Sequence, residues 1–161
     1  MMNEHEKRVF VDSEGKLLTF KLGNQEYGIP ILEAREVIGM VVAEPIPKAP
    51  DFMEGVINLR GRIFPVIDLR TKFGMTRQEP TDESCIVLVK IEGHITGMIV
   101  DFLAGVATLE ENQFEVDPDL GAYMDSSFLL GIAKFDGRVV FVLNLDEVLS
   151  SAEITMIQGH V

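Results

Sequence analysis

The sequence predicts an all-β protein built from two similar small units. Three observations carry this. Val and Ile are plentiful and Trp is absent, a bias toward strands. Short apolar runs are punctuated by glycine-centred turns. And one stretch occurs twice: "GVINLRGRIFPVIDL" at 55–69 aligns without gaps on "GIAKFDGRVVFVLNL" at 131–145. Gly55, Gly61, Arg62, Val66 and Leu69 recur as Gly131, Gly137, Arg138, Val142 and Leu145. A weaker repeat places "FKLGNQEYGIPI" at 20–31 on "VKIEGHITGMIV" at 89–100, with Lys21 on Lys90 and Gly28 on Gly97. The offsets are 76 residues (Gly55 to Gly131) and 69 residues (Gly28 to Gly97), so the second half carries an insertion, placed in "EENQFEVDPDLGAYMDSS". Two copies are too few for a solenoid, and half the chain alone would have a thin core, so the halves should share one.

Taken in order, Leu17 to Leu22 and Glu26 to Leu32 flank Gly23-Asn24-Gln25, a hairpin signal. A connecting strand follows near 37–43. "EPIPKAP" at 44–50 is a stiff, extended connector. Ile57 to Leu59 and Ile63 to Ile67 flank Arg60-Gly61. Asp68 then caps a short helix that should end at Gly74. Residues 76–84 are a loop between the halves. Ile86 to Ile91 and Ile95 to Asp101 flank Glu92-Gly93-His94, with a connecting strand near 105–109. Lys134-Phe135 and Val139 to Leu143 flank Asp136-Gly137, a favourable tight turn. "NLDE" at 144–147 starts a second helix with a capping box closed by Glu147. The total is about ten strands. The expected organisation is a mobile tail over 1–14, one domain of two subdomains over 15–152, and a second tail over 153–161.

The chain has 161 residues and a formal charge of −12. At this size roughly 70% of the unfolded surface is hidden on folding, so neither metal nor disulfide is needed as a staple. So acidic a chain repels phosphate, which argues against nucleic acid and against an anionic membrane surface. The single cysteine, Cys85, opens an apolar strand and reads as a buried apolar residue. No apolar run has the length of a membrane helix, and the polar start is unlike a signal peptide, so the expected compartment is the cytoplasm.

Catalytic signals are thin. His5, His94 and His160 do not converge with Cys85 on a metal site, and no DxDxDG loop is present for calcium. There is no GxSxG and no Walker loop. The expectation is no enzyme, no cofactor and no metal, which leaves a binding module. Arg60 alone reads as a solvated turn arginine. Against that reading, the repeat has Asp136 at the same place while Gly61 and Arg62 recur, so the fold does not require arginine there.

"LTFKLGNQEYGIPILEAREV", "PDFMEGVINLRGRIFPVIDLRTKFG" and "GIAKFDGRVVFVLNLDEVLS" together resemble the CheW-like domains, the family of bacterial chemotaxis coupling proteins, from about Leu17 to Leu149. The resemblance implies two intertwined five-stranded SH3-like β-barrels with one or two short helices. It implies an adaptor without catalysis, linking the cytoplasmic tips of transmembrane chemoreceptors to the histidine kinase CheA, whose regulatory domain shares the fold. The two proteins would alternate in rings, with this chain a monomer in isolation.

Site residues follow from the resemblance. Arg60 matches an arginine needed for coupling, with Gly55 and Asn58 shaping its turn. Glu36 matches an acidic position near the same surface and is expected to meet Arg60. Ala34 and Val37, with apolar residues near Val100 and Phe102, would face the receptor. Leu120 falls near a second kinase contact. Ala34 stands where valine is commoner, and Arg35 where glutamine is. Two other readings remain: an adaptor for a non-chemotactic array, such as one controlling pili, and a small-molecule-sensing barrel.

Overall fold

The computed structural model describes residues 13–116 and 128–158. Of the expected tails, residues 1–12 and 159–161 lie outside the described residues, as does Leu120. The strands are β1 (Lys16–Leu22), β2 (Gln25–Pro30), β3 (Ala34–Gly39), β4 (Met53–Leu59), β5 (Arg62–Asp68), β6 (Cys85–Ile91), β7 (His94–Val100), β8 (Phe102–Thr108), β9 (Phe114–Val116), β10 (Leu129–Phe135) and β11 (Arg138–Leu143). Among the described residues three α-helices accompany them: α1 (Leu69–Lys72), α2 (Leu145–Val148) and α3 (Ser151–Gln158).

The protein is all-β, in two units of SH3-like barrel type. Unit 1 is Met1–Ala34 with Ala104–Val148, and unit 2 is Arg35–Leu103 with Leu149–Val161. The repeat explains this division. Each unit takes one hairpin from each half of the chain, and the strand orders, β8-β1-β2-β11-β10-β9 and β3-β6-β7-β5-β4, are the same order once repeated strands are equated. The halves meet through parallel ladders in one register: Val142 lies opposite Gly28 in unit 1, as Val66 lies opposite Gly97 in unit 2. Both glycines are needed for close approach. A Cβ on Gly28 would stand 3.1 Å from Val140 Cγ1, and one on Gly97 would stand 2.9 Å from Ile86 Cγ2. Each unit has its own apolar centre, around Leu17, Leu130, Ala133 and Val142 in unit 1 and around Ile57, Val66, Ile86 and Leu88 in unit 2.

The insertion adds β9, a strand beyond the expected ten. It pairs with β10 through Glu115 opposite Ile132, where unit 2 has only an isolated bridge between Glu44 and Val56. Pro30 ends β2 earlier than expected, because it brings no N–H and is followed by a single 3-10 turn over Ile31–Glu33. The connecting strands also start earlier than expected, at Ala34 and Phe102. The proline-rich connector is not uniformly extended, since Lys48 turns with φ 64°.

Helix α1 is capped as its sequence requires. Asp68 Oδ1 accepts from Arg70 N at 3.0 Å, and Gly74, with φ 74°, closes a Schellman motif in which Met75 N donates to Arg70 O at 2.8 Å and Gly74 N to Thr71 O at 3.1 Å. Among the described residues, 13–14 and 153–158 fall within the expected tails. Ser13 is buried, and its hydroxyl accepts from Leu32 N at 3.3 Å. Residues 151–158 are helical because Ser150 and Glu153 form a reciprocal cap, Glu153 also takes the Lys72 ammonium at 2.7 Å, and Ile157 is buried.

Candidate functional site

The β4–β5 hairpin turns at Arg60 and Gly61, with φ 52° and 81°. Two consecutive positive φ values make the tight turn whose twist suits the flanking strands. Asn58 secures it, its Oδ1 accepting from Gly61 N at 3.0 Å. Arginine is an unusual choice at the first turn position, where a Cβ crowds the following carbonyl. Asp136 at the matching turn is the conventional choice, with φ 51°. Glu92 shares the conformation with φ 49°, so backbone geometry alone does not single out Arg60.

The partner of Arg60 does. Its Nη2 donates to Glu36 Oε1 at 2.5 Å and its Nη1 to Oε2 at 3.2 Å, a two-pronged pair. Glu36 stands on β3, and β3 and β4 are the two ends of the five-strand order. A hairpin from one end reaches the other only because the sheet curls round on itself. The side chains stay 68% and 37% exposed. The hydrogen bond and charge of Arg60 hold the Glu36 carboxyl below its usual range. The repeat does not carry the pair: Asp136 stands in place of Arg60, and the offset of 69 residues puts Gly105 in place of Glu36.

The other anticipated residues divide. Val37 and Phe102, each 39% exposed, line one shallow depression with Ile38, Leu103, Asp82 and Glu83. Alternation along β3 turns Val37 to the opposite face from Glu36. Ala34 is half-buried at the start of β3, its N–H donating to Ile31 O. Two of the anticipated residues lie beneath the surface. Val100 is 0% exposed in β7 and cannot itself line a surface. Gly55 lies outside the turn itself, buried at a bulge in β4 where the Glu44 carbonyl leaves no room for a Cβ. Gly131 occupies the matching bulge against the Glu115 carbonyl, which is why both glycines recur.

Unit 2 also holds a clamp without a sequence signal, because its members lie 31 residues apart. Arg70 is buried and donates from Nε at 3.0 Å and from Nη2 at 2.6 Å to Asp101, and from Nη1 to Thr76 O at 3.0 Å. Arg77 pairs with Glu54 beside it. Burial raises the Cys85 thiol above its ordinary value, which suits a packing residue rather than a nucleophile. Among the described residues no three His, Cys, Asp or Glu side chains gather to hold a metal, and no helix is long and apolar enough to cross a membrane.

Doubled SH3-like barrels with exchanged hairpins define the class of β-domain to which the chain belongs. The chain belongs to the CheW-like domain family, whose profile matches residues 16–153. It is 33% identical over 138 residues to the chemotaxis protein CheW of Rhizobium meliloti, covering 86% of this chain and 89% of that one. It is 32% identical over 144 residues to the CheW of Klebsiella aerogenes, covering 89% and 87%. The crystal structure of the scaffolding protein TtCheW from Thermoanaerobacter tengcongensis superposes with a TM-score of 0.80 at 36% identity, covering 87% of this chain and 95% of the other.

Proposed function

We propose that this protein is a non-catalytic chemotaxis adaptor that couples the cytoplasmic tips of chemoreceptors to the histidine kinase CheA, and works in the cytoplasm at membrane-bound receptor arrays. The observation that carries the reading is the Arg60–Glu36 pair. It is exposed and two-pronged, and it sits on a turn whose duplicate does without it. Family membership and the relatives named for chemotaxis support the same role. In this reading Arg60 is the contact point, Asn58 and Glu36 fix its direction, and Val37, Phe102 and Ala34 supply apolar area. Gly55 and Val100 act from beneath, by shaping the strands. Leu120 belongs to a second kinase contact. Two related barrels offer related docking faces on one chain, and in an array modest contacts multiply through avidity.

The test is co-sedimentation with receptor-containing membranes and CheA. The wild type should enter the pellet and raise kinase activity. Arg60→Glu should keep its melting temperature and bind roughly tenfold or more weakly, as a charged hot spot would. Wild-type coupling by Arg60→Glu would remove the turn from the interface.

A further inference from the structure

The duplication supplies an internal control for a second arginine. Arg138 opens β11 and Arg62 opens β5 at the repeated place. Each guanidinium lies over a ring, Arg138 at 4.7 Å from the Phe135 centroid and Arg62 at 5.4 Å from that of Phe64. Arg138 also holds the Glu26 carboxylate, Nε to Oε1 at 3.1 Å with a second bond from Nη2 to Oε2. The repeat puts Ile95 where unit 1 has Glu26. Arg62 is exposed, as Arg138 is, but among the described residues it contacts no carboxylate.

Two further replacements open space beside it. Tyr27 and Phe141 meet edge to face in unit 1, with centroids 5.9 Å apart. Their counterparts in unit 2 are Thr96 and Pro65, and these border a concavity of about 260 Å³. Phe64, Ile91, Ile95 and, from α3, Ile154 and Ile157 give it apolar wall, and His94 and Gln158 add polar side chains. The outcome is a part-apolar hollow with one guanidinium in its lining, in the unit that has isoleucine where the other has the carboxylate.

We propose that this hollow binds a small organic acid. The apolar group lies against Ile91, Ile95 and Ile157, and the carboxylate takes on Arg62 the place that Glu26 takes on Arg138. A volume at the low end of ligand pockets suits an acid of about ten heavy atoms. The paired charge-assisted bonds of a guanidinium select carboxylate over a neutral or cationic head group. This site is separate from the Arg60 turn and does not depend on the adaptor role.

The experiment titrates the isotope-labelled full chain with phenylbutyrate, with phenylbutylamine as the cationic counterpart, and with acetyl-Leu-Glu-Phe amide as the acidic protein-segment arm. Phenylbutyrate should shift the amides of Ile63, Ile95 and Ile154 saturably in the millimolar range, and the amine should not. Arg62→Gln should weaken binding by about fivefold or more. Ile95→Glu should abolish it by giving Arg62 the internal partner that Arg138 has, without lowering the melting temperature. If Ile95→Glu does not fold, Arg62→Gln alone decides. Equal binding of acid and amine, undiminished binding by Arg62→Gln, no saturable shift, or a response to the tripeptide alone would each overturn the assignment.

Discussion

Arg138 clasps the carboxylate of Glu26 from two nitrogens, across a parallel pair of strands that come from opposite ends of the chain. Glu26 is buried, whereas the Arg138 side chain is 43% exposed. Burial raises the Glu26 carboxyl, but the bonds from Arg138 and the Thr19 hydroxyl, with the charges of Arg138 and Lys21, outweigh it and leave the value below normal. A carboxyl depressed by folding stabilises the fold fully above its unfolded value, near 4.5, and loses that contribution as pH falls through its folded value. Wild-type stability should therefore drop as the solution is acidified below that point. Glu26→Gln should flatten this part of the profile and cost about 1–2 kcal/mol at neutral pH, less than a fully buried pair because of the exposed arginine. Urea titrations at a series of pH values check both.

The glycines of the β4–β5 hairpin should separate sharply. Gly55→Ala drives a Cβ into the Glu44 carbonyl at φ 146°, so it should cost about 2–3 kcal/mol or prevent folding. Gly61→Ala meets open space, and its cost is the positive φ of 81° alone, about 1 kcal/mol. Thermal unfolding of the two variants side by side would show the order, and equal losses would contradict it.

Helix α3 depends on its surroundings. Eight residues make a helix too short to persist alone, so Ile157, the Ser150–Glu153 cap and the Lys72–Glu153 pair must hold it. Burial raises the Glu153 carboxyl, and the Lys72 and Ser150 bonds outweigh it to leave a net lowering. Glu153→Gln should speed hydrogen exchange across 151–158 several-fold while β6 and β7 amides stay protected.

The same helix shows where sequence reading stops. "SAEITMIQ" shows only Ile154 and Ile157 as a brief apolar stripe and passes for a tail, although the Ser150 to Glu153 spacing is a capping signal. The duplication and its four central hairpins were legible because turn chemistry and alternation are local. The exchange of hairpins between units came only with the family resemblance, since a repeat does not say which copy pairs with which; the ladder of Val66 on Gly97 is a long-range choice. At the site, the comparison of Arg60 with Asp136 pointed to the turn, and the Glu36 pairing came with the family resemblance. The burial of Gly55 and Val100 follows from the strand path and from the crossing of Glu44, which no local pattern encodes.

The Arg60–Glu36 pair allows the central claim to be tested apart from its own geometry. Exchanging the charges, Arg60→Glu with Glu36→Arg, keeps an ion pair at the same place in unit 2 while reversing the charge on the hairpin turn. The measurement is the fraction of this double variant that pellets with receptor membranes and CheA, compared with the wild type at equal melting temperature. The adaptor reading predicts a folded double variant that stays in the supernatant, as Arg60→Glu does. Recovery of wild-type pelleting by the exchange would show that the pair serves only to brace the barrel, and would contradict Arg60 as the contact.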